Sequence, residues 1–267
     1  MEENKGLREL LLLENIKEDE FFSYKYINIK NNTTFNELDP SFDINNYLAT
    51  YLSKNNEVIS KTKQSNKILV SIQREREFDF YKNRPSIPLS ESFLYTNEYS
   101  SKLLDDFQKE MITSDEVSII VPFISKPILR KIENIIESLN KRNKQINMIT
   151  TTFDGTGNYV DLEELCKLID FYSNFKVKVE DVDNTKKRIH GKGYIFKRNT
   201  GFSTAILGSS NMTVTGLITG GEWNIKISEF KDQKLFNEIK MAFAKNWNKN
   251  LIDLSNHVER SYIFEKN

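Results

Sequence analysis

Cysteine is almost missing from this chain: Cys166 stands alone among 267 residues, which excludes an internal disulfide and any cysteine-rich zinc site. It lies among apolar neighbours between Leu162 and Ile169 and is expected to be a small core residue. A net charge is missing as well, since 38 basic side chains balance 38 acidic ones, so attraction to a polyanion must be local rather than global. Long apolar runs are absent. A run such as Leu10 to Leu13, shut in by Glu9 and Glu14, is far too short for a membrane span or a signal peptide, so a cytoplasmic protein with no membrane partner is expected. No internal repeat and no Walker lysine motif occur, so ATP use is not expected here. Glycine and proline are few and unevenly spread. All five prolines fall between Pro40 and Pro127, whereas nine of the ten glycines fall between Gly155 and Gly221, the stretch where backbone must turn tightly or approach a ligand.

Residues 1–88 carry short apolar clusters such as Phe21-Phe22 and Ile68-Leu69-Val70 in Asn/Lys-rich text, and are expected to form an N-terminal appendage of unknown role. Residues 89–267 read as a second unit, built of regular elements. Val117 to Val121 predicts a buried strand ended by Pro122. Ser125 can cap a helix with Pro127 in its first turn, and Ile128, Leu129, Ile132, Ile135, Ile136 and Leu139 mark its apolar face. A strand at 146–151, a turn at 154–157, a helix around 161–169 and a strand at 175–179 continue a β-α-β-α-β rhythm. Further strands are expected at 189–196, 204–207 and 223–227, then a helix using Leu235, Phe236, Ile239, Phe243 and Trp247. The fold class predicted is α/β, a layered α/β/α sandwich around a mixed sheet.

The glycine-rich stretch holds the chemistry. In Arg188-Ile189-His190-Gly191-Lys192-Gly193, a strand puts His190 and Lys192 on one face, with Gly191 and Gly193 turned toward crowded backbone behind it. Downstream, Gly208-Ser209-Ser210-Asn211 offers hydroxyls, an amide and backbone N–H groups suited to an oxyanion. Glu222 opens the next strand, with Trp223, Ile225 and Ile227 expected to face the core. Taken singly, Ser209 and Asn211 also fit turn or capping roles, and Lys192 a solvated strand lysine.

The ordered set His190, Lys192, Gly208, Ser209, Asn211 and Glu222 resembles the phospholipase D superfamily, whose pattern is HxK, then Gly-Ser and Asn, then an acid. The chain looks most similar to the phospholipase D-like domain at the N-terminus of some bacterial DEAD/DEAH-type helicases and related restriction proteins. Three further segments carry that likeness over roughly residues 85–250: 88–92, 150–153, and 198–204 leading into GSSN and Glu222-Trp223-Asn224. One departure is plain, because the aspartate expected five residues after the HxK lysine falls on Lys197, which counts against a lipase more than a nuclease.

Phosphodiester cleavage needs a nucleophile, an acid for the leaving oxygen and cationic or N–H groups for the remaining oxygens. One HxK supplies half of that. The other histidine, His257, has no lysine two residues on, so the second imidazole is expected from another copy of the chain across a twofold axis. The resemblance implies that Glu222 orients His190, that Lys192, Ser209 and Asn211 hold the phosphoryl oxygens, and that neither metal nor cofactor is required. Eight basic residues lie between Lys176 and Arg198, and Lys186, Lys187, Arg188, Lys197 and Arg198 are expected to form a basic rim along a nucleic-acid backbone. Three readings follow: a nuclease acting on DNA, with RNA as the alternative; a noncatalytic nucleic-acid-binding and dimerising module with a separate or fused helicase; and a phospholipase, for which no apolar rim or anchor is found.

Overall fold

The computed structural model describes residues 23–28, 34–36, 67–73, 83–89, 91–96, 103–152, 160–181, 189–199 and 202–265. The expected turn at 154–157 lies outside them, as do Ser90, Phe153, Thr200 and Gly201 from the segments quoted above. In the N-terminal third, β1 (Ser23–Asn28), β2 (Thr34–Asn36) and β3 (Lys67–Gln73) form an antiparallel sheet in the order β2-β1-β3.

A second sheet has eight strands. They are β4 (Phe93–Thr96), β5 (Glu116–Ile120), β6 (Gln145–Thr151), β7 (Phe175–Glu180), β8 (Lys192–Lys197), β9 (Thr204–Gly208), β10 (Trp223–Ser228) and β11 (Ile252–Asp253), in the order β11-β7-β6-β5-β8-β9-β10-β4. β5, β6 and β7 run parallel and every other pairing is antiparallel, so the sheet is mixed.

The parallel strands need crossovers, and helices α2 (Lys126–Lys141) and α3 (Val160–Phe171) supply them on one face. All six apolar positions predicted for α2 are buried. Ser125 occupies its N-cap position, yet its hydroxyl makes no capping bond; the helix is opened instead by Pro127 in the first turn and by the Ser125 carbonyl, which accepts from Ile128 and Leu129. Helix α1 (Leu103–Ile112) joins this layer, Phe107 meeting the rings of Tyr194 and Phe196 edge-on. Helix α4 (Gln233–Trp247) covers the other face with Phe236 against Ile195 and Ala205. The fold is the expected α/β/α sandwich. Helix α5 (His257–Glu265) buries Ile263 in the main core and is tied to α3 by Arg260 and Asp170. Cys166 is buried in the same core, and burial pushes its thiol pKa up. No helix among the described residues is long and apolar enough to cross a membrane.

The alternation expected on β10 is inverted over its first half. Trp223 and Ile225 are 63% and 47% exposed, while Asn224 and Lys226 are 1% and 0%. The cause lies in α1, which presents Glu110 to this face of the sheet. The Glu110 carboxylate takes Lys226 at 2.8 Å and Arg198 at 2.6 Å, and Arg198 also donates to Thr113 and Thr204. Burial alone pushes the Glu110 carboxyl up, but Lys226 and Arg198 outweigh it and hold it below the ordinary carboxylate range. Lys226 further donates to the carbonyls of Ile87 and Pro88, and Ser228 to that of Leu89, so the segment around residue 88 is fastened to β10. Asp106, one turn before Glu110, accepts from Tyr95 at 2.9 Å and from the Ser86 backbone at 2.7 Å. Leu235 is also turned outward at 39% exposure; its N–H is capped by Asp232, and the neighbouring Phe236 takes the inward place.

Candidate active site

β8 begins at Lys192, so His190 and Gly191 precede the strand rather than lying in it as expected. The two side chains meet nevertheless. Lys192 Nζ lies 3.1 Å from His190 Nδ1 and 3.3 Å from Nε2, and donates to the His190 carbonyl at 2.8 Å. His190 is exposed and Lys192 half-buried. Burial holds the Lys192 ammonium below the ordinary lysine range, with the Glu222 carboxylate pulling the other way. Of the two glycines, only Gly193 is crowded: a Cβ there would lie 3.0 Å from a Leu207 methyl and 3.2 Å from an Ile120 methyl, whereas Gly191 faces open space. Crowding at 193 comes from side chains, not backbone. The approach to His190 is set by Glu180 at the end of β7, a buried carboxylate that accepts the Ile189 N–H at 2.6 Å. In the sequence Glu180 is merely one acid in a basic stretch; only the fold, which sets it at the end of β7 against the buried Ile189, sets it apart.

The GSSN loop leaves β9 and lies beside the start of β10. The exposed Ser209 hydroxyl donates to the Glu222 carboxylate and accepts the Trp223 N–H at 3.0 Å, while Ser209 N–H donates to the Trp223 carbonyl at 3.0 Å. Glu222 therefore holds Ser209 within this chain and makes no hydrogen bond to His190, the partner expected for it. Asn211 is half-buried and its Oδ1 is buried without a hydrogen-bond partner. Met212 exchanges backbone bonds with Phe123 and Ser125, docking the loop on the start of α2. Thr213 caps the N–H of Gly216 at 3.0 Å, inside a short π-helical turn at Thr215–Thr219. The backbone N–H groups of Ser209, Ser210, Met212 and Gly216 thus all have internal partners. These four N–H groups are therefore already engaged, contrary to the expectation that this backbone offers them to an oxyanion.

Of the expected basic rim, Lys186, Lys187 and Arg188 lie outside the described residues. Lys197 is partly exposed and pairs with Glu116 at 3.0 Å. Arg198 is not on a rim at all: it is 3% exposed and its guanidinium bridges Glu110, Thr113 and Thr204 inside the fold. The set that receives it, Glu110 of α1, Thr113 just after that helix and Thr204 of β9, was not legible as a partner set in the sequence. His257 opens α5 and is exposed. Among the described residues, no group of three His, Cys, Asp or Glu side chains is arranged to hold a metal ion. What remains at the start of β8 is an imidazole against an ammonium, with Gly208 of β9 paired beside Lys192 and leading into the loop that carries the Ser209 hydroxyl, its Glu222 partner and the Asn211 amide. Such groups can hold a tetrahedral oxyanion, attack its central atom and protonate an oxygen at one corner.

Residues 101–259 match the family model described as the NgoFVII restriction endonuclease N-terminal PLD (phospholipase D) domain, a span that contains all five proposed site residues. No curated protein sequence matches the chain. Among solved structures, NucT from Helicobacter pylori is 18% identical, covering 58% of this chain and 94% of that one with a TM-score of 0.46. Nuc from Salmonella typhimurium, a phospholipase D family member, is 16% identical, covering 61% and 98% with a TM-score of 0.43. The phosphatidylserine synthase of Haemophilus influenzae Rd KW20 is 15% identical and covers 81% of this chain and 48% of its own length, with a TM-score of 0.49.

Proposed function

Because the chain belongs to the NgoFVII restriction endonuclease N-terminal PLD domain family, we propose that it is a phosphodiesterase that cleaves DNA through a phosphohistidine intermediate at a site shared by two copies. The observation that carries this reading is the exposed His190 held against Lys192, in a chain with no second HxK. One His190 attacks phosphorus and the P–O bond to the leaving strand breaks. The His190 of the second copy gives that oxygen its proton, then takes one from the water that hydrolyses the phosphohistidine. Lys192 and the side chains of Ser209 and Asn211 hold the phosphoryl oxygens, while Glu222 fixes the Ser209 hydroxyl and favours the Lys192 ammonium. The unit at residues 89–267 is the catalytic domain, acting in restriction of foreign DNA in the cytoplasm. The basic residues Lys186, Lys187 and Arg188 follow the DNA backbone. A helicase, fused or separate, is the partner the resemblance suggests.

The test is cleavage of single- and double-stranded DNA in EDTA, with light scattering to give the oligomeric state. Cleavage by a dimer is expected, and His190→Ala should abolish both turnover and phosphoenzyme trapping without unfolding the chain, a loss of roughly 10⁴-fold or more. DNA bound but left intact across the acidic-to-neutral range, with EDTA or with added magnesium, would leave only a binding module.

A further inference from the structure

Between the two GSSN side chains assigned to the phosphate, Ser209 and Asn211, stands Ser210, which is 0% exposed. Its N–H, hydroxyl and carbonyl are all taken, by Asn224, Gly216 and Tyr194. Its N–H donates to Asn224 Oδ1 at 3.3 Å and its hydroxyl accepts from Asn224 Nδ2 at 2.7 Å. The same hydroxyl donates to the Gly216 carbonyl at 2.7 Å, and its own carbonyl accepts the Tyr194 hydroxyl at 2.8 Å.

From this arrangement we infer that Asn224 and Tyr194 are positioning residues for the phosphate site, acting through Ser210 on the side chains to either side of it. The inference rests on the phosphodiesterase reading for the reaction it tunes, but the clamp itself is geometric.

Three further features belong to it. Asn224 is 1% exposed and stands opposite Gly208 in the β9–β10 register. A Cβ on Gly208 would come within 2.5 Å of Asn224 Oδ1 and 2.2 Å of the Trp223 carbonyl, so only glycine lets the amide reach across β9 to Ser210. A Cβ on Gly216 would meet the Asn211 carbonyl at 2.2 Å, so the turn whose carbonyl accepts the Ser210 hydroxyl also demands glycine. Tyr194, 1% exposed and packed edge-on against Phe107, leaves β8 two residues after Lys192 on the same face. Its hydroxyl therefore fixes the distance between the HxK strand and the GSSN loop. Neither Asn224 nor Tyr194 touches the phosphate, and both are buried; a buried polar network with every group satisfied holds one geometry where an apolar contact would allow several.

Tyr194→Phe keeps the ring and removes one bond; Asn224→Asp keeps the Oδ1 acceptor and replaces the amide donor. Each is measured in two ways, by steady-state cleavage and by calorimetric binding of inorganic phosphate to the full chain. Positioning predicts a fall in kcat at little-changed KM for DNA, roughly tenfold for Tyr194→Phe and up to about 10²-fold for Asn224→Asp, since small misplacements of transition-state contacts are expensive. Phosphate affinity should fall in the same order. In a Ser209→Ala, Asn211→Ala background, Tyr194→Phe should have little further effect, because the groups it positions are gone. If wild type binds phosphate but cuts no DNA, the functional reading fails while loss of phosphate binding in the variants still supports the clamp. If both variants melt earlier yet keep wild-type kcat and phosphate affinity, or if Tyr194→Phe costs as much in the double-alanine background, the two residues are merely structural and the inference is overturned.

Discussion

Lys192 and Lys226 leave the same face of one sheet, from β8 and β10, and meet opposite surroundings. Lys226 sits where α1 covers the sheet, 0% exposed, with the Glu110 carboxylate at 2.8 Å and two backbone carbonyls completing its shell. Lys192 sits where the strand starts, half-buried, with an imidazole and one carbonyl for company and Glu222 near enough to favour its charge. A buried ammonium is tolerated only when its hydrogen-bonding capacity is filled, which leaves nothing for a ligand. One that is partly desolvated and incompletely paired keeps both a strong local field and a free direction in which to act. Lys197 and Arg198 repeat the contrast at adjacent positions, the first partly exposed beside Glu116, the second closed inside with Glu110.

The comparison breaks most easily by exchanging the roles. Lys226→Ala leaves Arg198 as the one cation on the buried Glu110, beside the Thr204 hydroxyl, and should lower folding stability by about 3–5 kcal/mol in urea denaturation, the usual cost of breaking a buried pair. Lys192→Ala should change stability by only about 0.5 kcal/mol or less but reduce kcat on DNA roughly 10²–10³-fold. A Lys192→Ala protein that melts early and cuts normally would reverse the assignment.

A smaller effect sharpens the same line at Arg198. Arg198→Lys keeps the charge but loses the planar fork that serves Glu110, Thr113 and Thr204 together, and should cost about 1–3 kcal/mol of stability. DNA affinity per folded molecule should not move. If affinity falls with stability intact, Arg198 contacts DNA after all.

How much of this could be read from the residues depends on which physical rule governed each place. The α2 face was legible because six apolar residues at helical spacing against a parallel sheet leave one way to bury them. The parallel run β5, β6, β7 followed from strands alternating with such helices. At β10 the same logic failed. Trp223 and Ile225 alternate as an inward face should, and only the tertiary placement of Glu110, 116 positions before Lys226, makes the polar set the inward one. Nothing local to the strand announces a carboxylate from α1. The site divides in the same way: the order of His190, Lys192, Ser209, Asn211 and Glu222 pointed to the chemistry, but the Glu222–Ser209 bond and the Glu180 hold on Ile189 depend on strand neighbours that spacing does not define.

The finest test of the comparison is the pH dependence of turnover. Partial burial holds the Lys192 ammonium below the ordinary lysine range, so as pH rises its charge is lost sooner than that of a solvated lysine, and kcat should fall along an alkaline limb that lies below that range. Glu222 opposes the shift, because a nearby carboxylate favours the protonated amine. Glu222→Gln removes the negative charge while leaving an oxygen to accept from Ser209, so desolvation acts unopposed and the Lys192 pKa drops further. The limb should then move to lower pH, with the low-pH plateau of kcat changed less than its position. Lys192→Ala should lack that limb altogether. Profiles of kcat against pH for wild type and Glu222→Gln, taken where the fold is intact at every point, decide it. A limb that stays in place or moves to higher pH would show that Glu222 does not support the Lys192 charge, and that the half-paired lysine at the strand start owes its field to something else.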